Sequence, residues 1–314
     1  MRASLIQIDV KPDESVDSRR ARAAGLVRDQ AGADLVVLPE LWTVGAFAYD
    51  DFAPGAEPLD GPTAAAMSAA ARDAGVWLHA GSIVERVPRA GAHPEADDRG
   101  RAPEHGDAIA PEHGRDARAP EHGGDALHND ALHNDALYNT ALLFAPDGRL
   151  HRVYRKIHRF GFDKGEAALM SAGEDIVTAH LPGPDLTLGL TTCYDLRFPE
   201  QFRLLVDAGA QAVVVSAGWP ARRREHWSLL ARARAVESQA YVLACCSAGT
   251  HAGVEQAGHS VVVDPWGEVL AEAGAGEQVL TVELDPARVE RTRADFPVLR
   301  DRVLGVPTPK RPGA

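Results

Sequence analysis

The stretch that decides the fold is residues 34–40, which read DLVVLPE. Four consecutive large apolar residues predict a strand buried on both faces, which is typical of a sheet covered by helices. Pro39 cannot donate a hydrogen bond to a central ladder, so the strand should end there. Glu40 would then follow the carboxyl end of a buried strand, where open α/β sheets place their chemistry. Its carboxylate is a candidate general base, and the alternative is a solvated glutamate in a loop.

Outward from this strand, apolar patterns of strand and helix type alternate along the chain, and nothing resembling an interdomain linker separates two cores. The order of the elements predicts an α/β protein with a mixed sheet or two stacked sheets. We expect strands near 3–9, 34–39, 76–84, 139–145, 149–157, 186–192, 212–216, 241–247, 259–263 and 278–284, and helices near 15–31, 62–74, 199–208 and 222–238.

A second informative segment is residues 188–200, which read LGLTTCYDLRFPE. An apolar β-prone run leads into Cys193, and a Pro-Glu pair typical of a helix start follows. This places the thiol on a sharp strand-to-helix turn, like the serine of a nucleophile elbow. Cys193 is therefore a candidate nucleophile. The alternative is a buried, inert cysteine.

A third segment, residues 151–160, reads HRVYRKIHRF and alternates with the period of a strand. A fixed ammonium at Lys156 could stabilise an oxyanion and ease formation of a nearby thiolate. The alternative is the solvated basic end of a strand.

Together these three segments resemble the Glu, Lys and Cys motifs of the nitrilase superfamily of carbon-nitrogen hydrolases, and they occur in the order found in that family. The resemblance extends from Ala3 to about Val303, apart from one insertion. Further similar segments lie at 138–141, 259–268 and 296–300. The resemblance implies a single-domain, four-layer α-β-β-α sandwich that forms a homodimer or a higher homo-oligomer.

The same resemblance implies a role for each site residue. Glu40 corresponds to the general base, Lys156 to the oxyanion-stabilising cation, Cys193 to the nucleophile and Glu166 to an accessory second glutamate. The backbone N–H of Tyr194 corresponds to the second oxyanion donor. This chemistry proceeds through a thioester and needs neither a metal nor an organic cofactor.

The residues after the cysteine, Tyr194 to Phe198, resemble the omega-amidase and deaminated-glutathione amidase branch rather than true nitrilases, which usually have Trp-Glu there. We therefore expect a small amide as substrate. Arg197 is a candidate to bind a substrate carboxylate, with a structural ion pair as the alternative. Trp219 lies in the stretch that lines the pocket in relatives, although core packing would also explain it.

Other functions stay open on the sequence alone. An N-carbamoyl amino acid amidohydrolase or a nitrilase would use the same residues. A non-catalytic binding protein is a third alternative, and a Cys-His peptidase using His158 or His226 is a fourth.

The segment from 87 to 135 departs from the family. It is predicted to be a low-complexity, disordered insertion, because it cannot bury enough apolar surface to offset its ordering entropy. It would interrupt a hydrolase domain of residues 1–285, and residues 286–314 are predicted to be an extension that packs at a dimer interface. For the 87–135 segment, weak metal binding by its histidines is the alternative. The motif APEHG occurs three times in the 87–135 segment, at 102–106, 110–114 and 119–123.

Composition limits the partners. The formal net charge of −12 argues against nucleic acid and anionic membrane surfaces. Three cysteines in 314 residues do not make a disulfide framework. The chain starts directly with a predicted strand, and no apolar run approaches membrane-spanning length. These features predict a cytoplasmic protein.

Overall fold

The computed structural model describes residues 1–88, 135–161 and 164–304. The chain divides into two units, Met1–Val87 with Ala136–Ala314, and Pro88–Asp135. Residues 89–134, which hold nearly all of the predicted insertion, lie outside the described residues, and so does the end of the predicted C-terminal extension. The account below concerns the first unit.

The described residues form fourteen strands and six α-helices. The strands are β1 (Arg2–Gln7), β2 (Leu35–Val37), β3 (Trp77–Pro88), β4 (Asp135–Phe144), β5 (Leu150–Arg155), β6 (Val177–Leu181), β7 (Leu186–Thr192), β8 (Ala212–Ala217), β9 (Tyr241–Cys246), β10 (Thr250–His251), β11 (Val254–Glu255), β12 (Val261–Val263), β13 (Val269–Glu272) and β14 (Gln278–Glu283). The helices are α1 (Val16–Arg28), α2 (Pro62–Ala74), α3 (Glu166–Leu169), α4 (Pro199–Asp207), α5 (Arg224–Ser238) and α6 (Ala287–Asp295).

Two six-stranded sheets carry the structure. The first has the order β14-β1-β2-β3-β4-β5, and the second has the order β13-β12-β9-β8-β7-β6. In the first sheet β1, β2 and β3 are parallel, and in the second sheet β7, β8 and β9 are parallel. The first strand of the chain, β1, pairs antiparallel with the last, β14, with Arg2 opposite Glu283.

The sheets face each other across a shared apolar core that includes Leu5, Val37, Leu188 and Val214. Helices α1 and α2 cover the outer face of the first sheet, where Met67 and Ala23 are fully buried. Helices α4 and α5 cover the outer face of the second sheet. Each parallel strand is therefore buried on both faces, and the predicted four-layer α-β-β-α sandwich is confirmed.

The start of the predicted C-terminal extension packs on its own chain. Val289 of α6 joins the core between the sheets. The Arg293 guanidinium donates hydrogen bonds to the carbonyl oxygens of Gln239 and Ala210, and the Gln239 side-chain amide donates to the carbonyl of Phe296. These contacts make α6 part of the domain, and contact with a second copy stays a prediction.

Across the part of the chain that the structure describes, none of the helices combines the length and the apolar character that crossing a bilayer requires.

Candidate active site

Glu40 lies at the carboxyl end of the first sheet, three residues after β2 ends, and is almost fully buried. The approach of β3 to this loop depends on Gly81, which has a φ of +65°. A Cβ atom at this position would lie 1.8 Å from the Pro39 carbonyl oxygen. Only glycine fits there without moving the segment that carries Glu40.

Cys193 is the first residue after β7 and begins a short 3₁₀ turn, Cys193–Arg197, that leads into α4. Its φ of +47° is uncommon for a residue with a side chain, and such strain concentrates at functional sites. The turn brings the sulfur to 3.9 Å from the carbonyl oxygen of Gly218, which follows β8. The thiol therefore lies at the carboxyl end of the second sheet.

The fully buried carboxylate of Asp195 holds this turn in place. It accepts hydrogen bonds from the Thr192 N–H at 2.8 Å and from the Tyr154 hydroxyl at 2.6 Å. It also accepts one from the His158 N–H at 3.0 Å. Tyr154 belongs to β5 and His158 follows that strand, so Asp195 ties the lysine segment of the first sheet to the cysteine turn of the second.

The Lys156 ammonium bridges two buried carboxylates. Its Nζ donates to Glu40 Oε1 at 2.6 Å and to Glu166 Oε2 at 2.7 Å. Asn139 Nδ2 donates to Oε1 of the same two glutamates, at 2.8 Å in each case. Glu166 opens the short helix α3, and its Oε2 also accepts the Phe160 N–H at 2.9 Å. Four side chains that are distant in sequence thus form one charged cluster.

The cluster changes how its members ionise. Burial alone would lower the pKa of Lys156, but the charges of Glu166 and Glu40 outweigh it and hold that pKa well above its usual value. Burial raises the pKa of Glu166, against the opposing charge of Lys156. Burial and the Glu40 charge raise the pKa of the Cys193 thiol well above normal, and the lowering by Lys156 is smaller. The predicted easing of thiolate formation by Lys156 is therefore outweighed, and the resting thiol carries its proton.

These groups line a pocket that also includes the predicted residues Tyr194, Arg197 and Trp219. Its wall is mainly aromatic, with Tyr194 edge-on to Phe160 at 5.4 Å between ring centroids. Such a pocket can enclose a small ligand against one thiol, one ammonium and two carboxylates. The aromatic wall is formed by Phe47, Tyr49, Phe160, Tyr194 and Trp219.

Two guanidinium groups line the same pocket. Arg197 lies 4.7 Å above the Trp219 ring, and its Nη2 is 3.3 Å from His226 Nδ1. Arg223 lies 5.6 Å from the centre of the Phe160 ring. Within residues 1–88, 135–161 and 164–304, neither guanidinium forms an ion pair with a carboxylate, so the ion-pair alternative for Arg197 is not supported. Arg223 was not singled out in the sequence, although it follows Trp219 closely in the same segment.

The two histidines considered for a Cys-His pair have other partners. The ring of His158 is 2.8 Å from Asp195 Oδ1 and stacks on Phe198 at 3.7 Å between centroids. The His226 ring contacts Arg197. Glu40, which lines the same pocket as Cys193, is the candidate base: after burial, its charge contributes most to raising the pKa of the Cys193 thiol.

Comparison with known proteins agrees with this geometry. The family model for "Carbon-nitrogen hydrolase" matches residues 2–99 and 121–294. A 2-oxoglutaramate amidase of Paenarthrobacter nicotinovorans is 35% identical over 301 residues, covering 95% of this chain and 88% of that protein. An omega-amidase of Mus musculus is 31% identical over 317 residues, covering 96% and 94%.

Among solved structures, Nit3 of Saccharomyces cerevisiae, a member of branch 10 of the nitrilase superfamily, superposes with a TM-score of 0.72 at 29% identity. The match covers 95% of this chain and 94% of that one. The family match spans most of the chain, the relatives align along nearly its whole length, and the fold is shared. This chain therefore belongs to the carbon-nitrogen hydrolase family, within the nitrilase superfamily, and is a hydrolase of carbon–nitrogen bonds other than peptide bonds.

Proposed function

We propose that this enzyme hydrolyses the amide group of a small carboxylate-bearing amide to an acid and ammonia, with Cys193 as the nucleophile. The observation that carries the proposal is one pocket with a reactive end and a cationic wall. The reactive end is the Cys193 thiol beside the buried Glu40–Lys156–Glu166 cluster. The cationic wall is the pair of guanidinium groups without carboxylate partners among the described residues.

The reaction begins with transfer of the thiol proton to Glu40 while the sulfur attacks the amide carbon. Concerted transfer suits this site, because burial and the Glu40 charge disfavour a free thiolate. The new C–S bond converts the carbonyl oxygen into an oxyanion. Two of the three ammonium N–H groups of Lys156 donate hydrogen bonds to the glutamates. The third N–H can therefore donate a hydrogen bond to the oxyanion. The Tyr194 N–H supplies the second donor.

Collapse of the tetrahedral intermediate breaks the C–N bond. Glu40 returns its proton to the departing nitrogen, which leaves as ammonia, and a thioester remains on Cys193. Glu40 then takes a proton from a water molecule that attacks the thioester carbon. The acid leaves, and the proton returns to the sulfur. Glu166 stays ionised throughout and balances the charge of Lys156.

The substrate tail is proposed to lie against Arg197 and Arg223. A guanidinium offers paired N–H donors that match a carboxylate. Each of these groups is stacked on an aromatic ring that lines the same pocket, which fixes its position. A carboxylate is also present in the substrate for which the relative from Paenarthrobacter nicotinovorans, a 2-oxoglutaramate amidase, is named.

Ammonia release from a panel of compounds tests this function. The panel contains 2-oxoglutaramate, a neutral amide of similar size, an N-carbamoyl amino acid and a short nitrile. We expect kcat/KM to be highest for the charged amide, and Cys193→Ala to abolish turnover while the far-UV spectrum stays native. Retention of a tenth of the activity in Cys193→Ala, or faster turnover of the nitrile than of its amide, would overturn the proposal.

Arg197→Lys keeps the charge of the tail site but removes the paired donors. We expect this variant to lose preference for the charged amide over the neutral one, mainly through KM. The matched control is Arg152→Lys, which alters a guanidinium on β5 outside the pocket. Unchanged selectivity in Arg197→Lys would show that this guanidinium does not bind the substrate.

We further propose that the enzyme is a homodimer that buries an apolar patch on the α4/α5 side. The patch consists of Val236, Trp266, Phe296 and Val298, which line one surface depression. Trp266 stacks on Phe296 at 6.1 Å while both rings stay about half exposed. An exposed aromatic pair of this kind is typical of a protein interface. It includes part of the predicted 286–314 extension.

Sedimentation equilibrium tests the dimer. Wild type is expected at twice the chain mass, and Trp266→Glu is expected to shift it towards the monomer. Leu150→Glu, at a similarly exposed leucine of β5 outside the patch, serves as the control. A monomeric wild type would contradict this assembly.

We also propose a cytoplasmic, reducing setting. All three cysteines, Cys193, Cys245 and Cys246, are unpaired, and the proposed chemistry requires a reduced thiol at Cys193.

A further inference from the structure

Asn139 is a buried amide that the proposed reaction does not use directly. It lies on β4, is 2% exposed, and gives its Nδ2 to both glutamates of the charged cluster at 2.8 Å. An amide NH₂ has two protons, so both are used in these contacts. Its Oδ1 has no hydrogen-bond partner in the described part of the chain. Rotating the amide would place that oxygen against two carboxylates, so repulsion fixes Nδ2 towards them.

Three hydrogen-bond donors point at the carboxylate of Glu166. Its Oε1 accepts from Asn139, and its Oε2 accepts from both Lys156 and the Phe160 N–H. A proton on Oε2 would displace one of its two donors, whereas Oε1 keeps one lone pair. This arrangement favours the ionised form, although burial and the Glu40 charge both raise the pKa of this carboxyl.

The hydrogen bonds around Glu40 are unequal between its two oxygens. Oε1 accepts from both Lys156 and Asn139, which occupies its two lone pairs. Within the described part of the chain, Oε2 accepts only from the Gly218 N–H, at 2.8 Å. Gly218 is also the residue whose carbonyl oxygen lies 3.9 Å from the Cys193 sulfur. Oε2 therefore keeps a vacant lone pair, and this oxygen is held by the same Gly218 backbone that the Cys193 sulfur approaches.

We propose that Asn139 is a positioning residue that directs the thiol proton to Glu40 Oε2. It does so by holding Glu166 ionised and by blocking Oε1 of Glu40. Without Asn139, the two glutamates share one cation and lose a common donor, so protonation of the pair becomes easier. The free enzyme then has its general base already protonated at pH values where the wild-type base is free. This inference rests on the proposed function, because it assigns the base of that reaction to one oxygen atom.

The test is the acid limb of the pH profile, measured in two ways between about pH 4.5 and 9. One is kcat/KM for the preferred amide. The other is the rate of inactivation by methyl methanethiosulfonate without substrate, which contains no amide and so reports transfer of the thiol proton independently of amide hydrolysis. Asn139→Leu removes both donors at similar volume. Thr140→Val is the matched control, because the neighbouring Thr140 hydroxyl donates to a buried carboxylate outside the cluster, Glu85, at 2.6 Å.

We expect Asn139→Leu to move the acid limb of both profiles upward by about one pH unit or more, the effect of losing a hydrogen bond to a charged group. Thr140→Val should lower thermal stability and leave both limbs unchanged. A folded Asn139→Leu with wild-type limbs and only a lower kcat or Tm would overturn the inference. If this variant does not fold, Asn139→Asp provides the same test at nearly identical shape. Because Asn139→Asp adds a third carboxyl group, it should move the acid limb of both profiles further upward. Unchanged acid limbs in this variant would again overturn the inference.

The two measurements separate this inference from the proposed function. If wild type hydrolyses no amide in the panel but the acid limb for inactivation by methyl methanethiosulfonate still moves in Asn139→Leu, the substrate proposal fails and the role of Asn139 stands. If amides are hydrolysed and neither acid limb moves in Asn139→Leu, the proposed function stands and the role of Asn139 fails.

Discussion

His79 provides a test of how the first sheet responds to acid. It lies on β3 opposite Val37 of β2 and is fully buried. Both of its ring nitrogens are without a hydrogen-bond partner among the described residues. Burial lowers the pKa of this imidazole from 6.5 to about 4, because the charged ring would lose its hydration without gaining a partner.

The change in the free energy of unfolding with pH follows from the linkage between protonation and folding. The folded state keeps the ring neutral, whereas the unfolded state protonates it near pH 6.5. The stability tied to this group is therefore complete above pH 6.5, falls as the pH drops and is lost by about pH 4. A shift of about two and a half pH units corresponds to about 3 kcal/mol. His79→Leu removes the titration and leaves no unpaired polar atom at this position.

Urea unfolding at several pH values between about 7.5 and 4.5 measures the difference. As the pH falls over this range, we expect the free energy of unfolding to drop by about 2–3 kcal/mol more in wild type than in His79→Leu. The carboxylates contribute equally to both proteins, so the difference isolates His79. His180→Leu is the control, because that ring is largely exposed on β6. Parallel curves for wild type and His79→Leu would refute the reasoning.

Three further substitutions test the site and its support. Glu40→Gln keeps the shape but cannot take a proton, so turnover should nearly vanish in steady-state assays, and substantial activity would exclude Glu40 as the base. Lys156→Met should lower kcat by about 100- to 1000-fold through loss of an oxyanion donor, and a kcat near wild type would refute that role. Gly81→Ala should cost more than about 1 kcal/mol of stability and lower activity, because its Cβ would contact the Pro39 carbonyl oxygen. Gly75→Ala has a similar φ with open space around it, so it should cost less in the same denaturation assay.

Local sequence signals predicted the elements that have clear ends. Helix α2 was predicted with its observed bounds, because Pro62 occupies its first turn and Gly75 ends it at a φ of +67°. No helix was predicted at α6, because the only apolar side chain that this charged segment buries is Val289. Edge strand β6 was also not predicted, although VTAHL alternates apolar and polar residues with the period of a strand.

Local sequence signals likewise predicted some residues of the site and not others. Glu40 and Cys193 follow apolar runs that mark strand ends, so the sequence alone made them candidates. The importance of Asn139 arises from contact with a glutamate 99 residues away. Asp195 acts through Tyr154, which is 41 residues away on the other sheet. The first contact is set by the order of strands within the first sheet and the second by the stacking of the two sheets, and no local pattern encodes either contact.

The pairing of β1 with β14 has a consequence for how the protein is made. A ribosome releases Arg2 early, but its partner Glu283 is added only after most of the chain has been synthesised. Until then, one backbone edge of a buried apolar strand has no native neighbour, which exposes the nascent chain to misassociation. Completion of the first sheet, and with it the catalytic centre, must therefore wait until synthesis is nearly finished. Ribosome-bound chains stalled before residue 278 are expected to lack activity, and chains extended by a linker beyond residue 304 are expected to gain it.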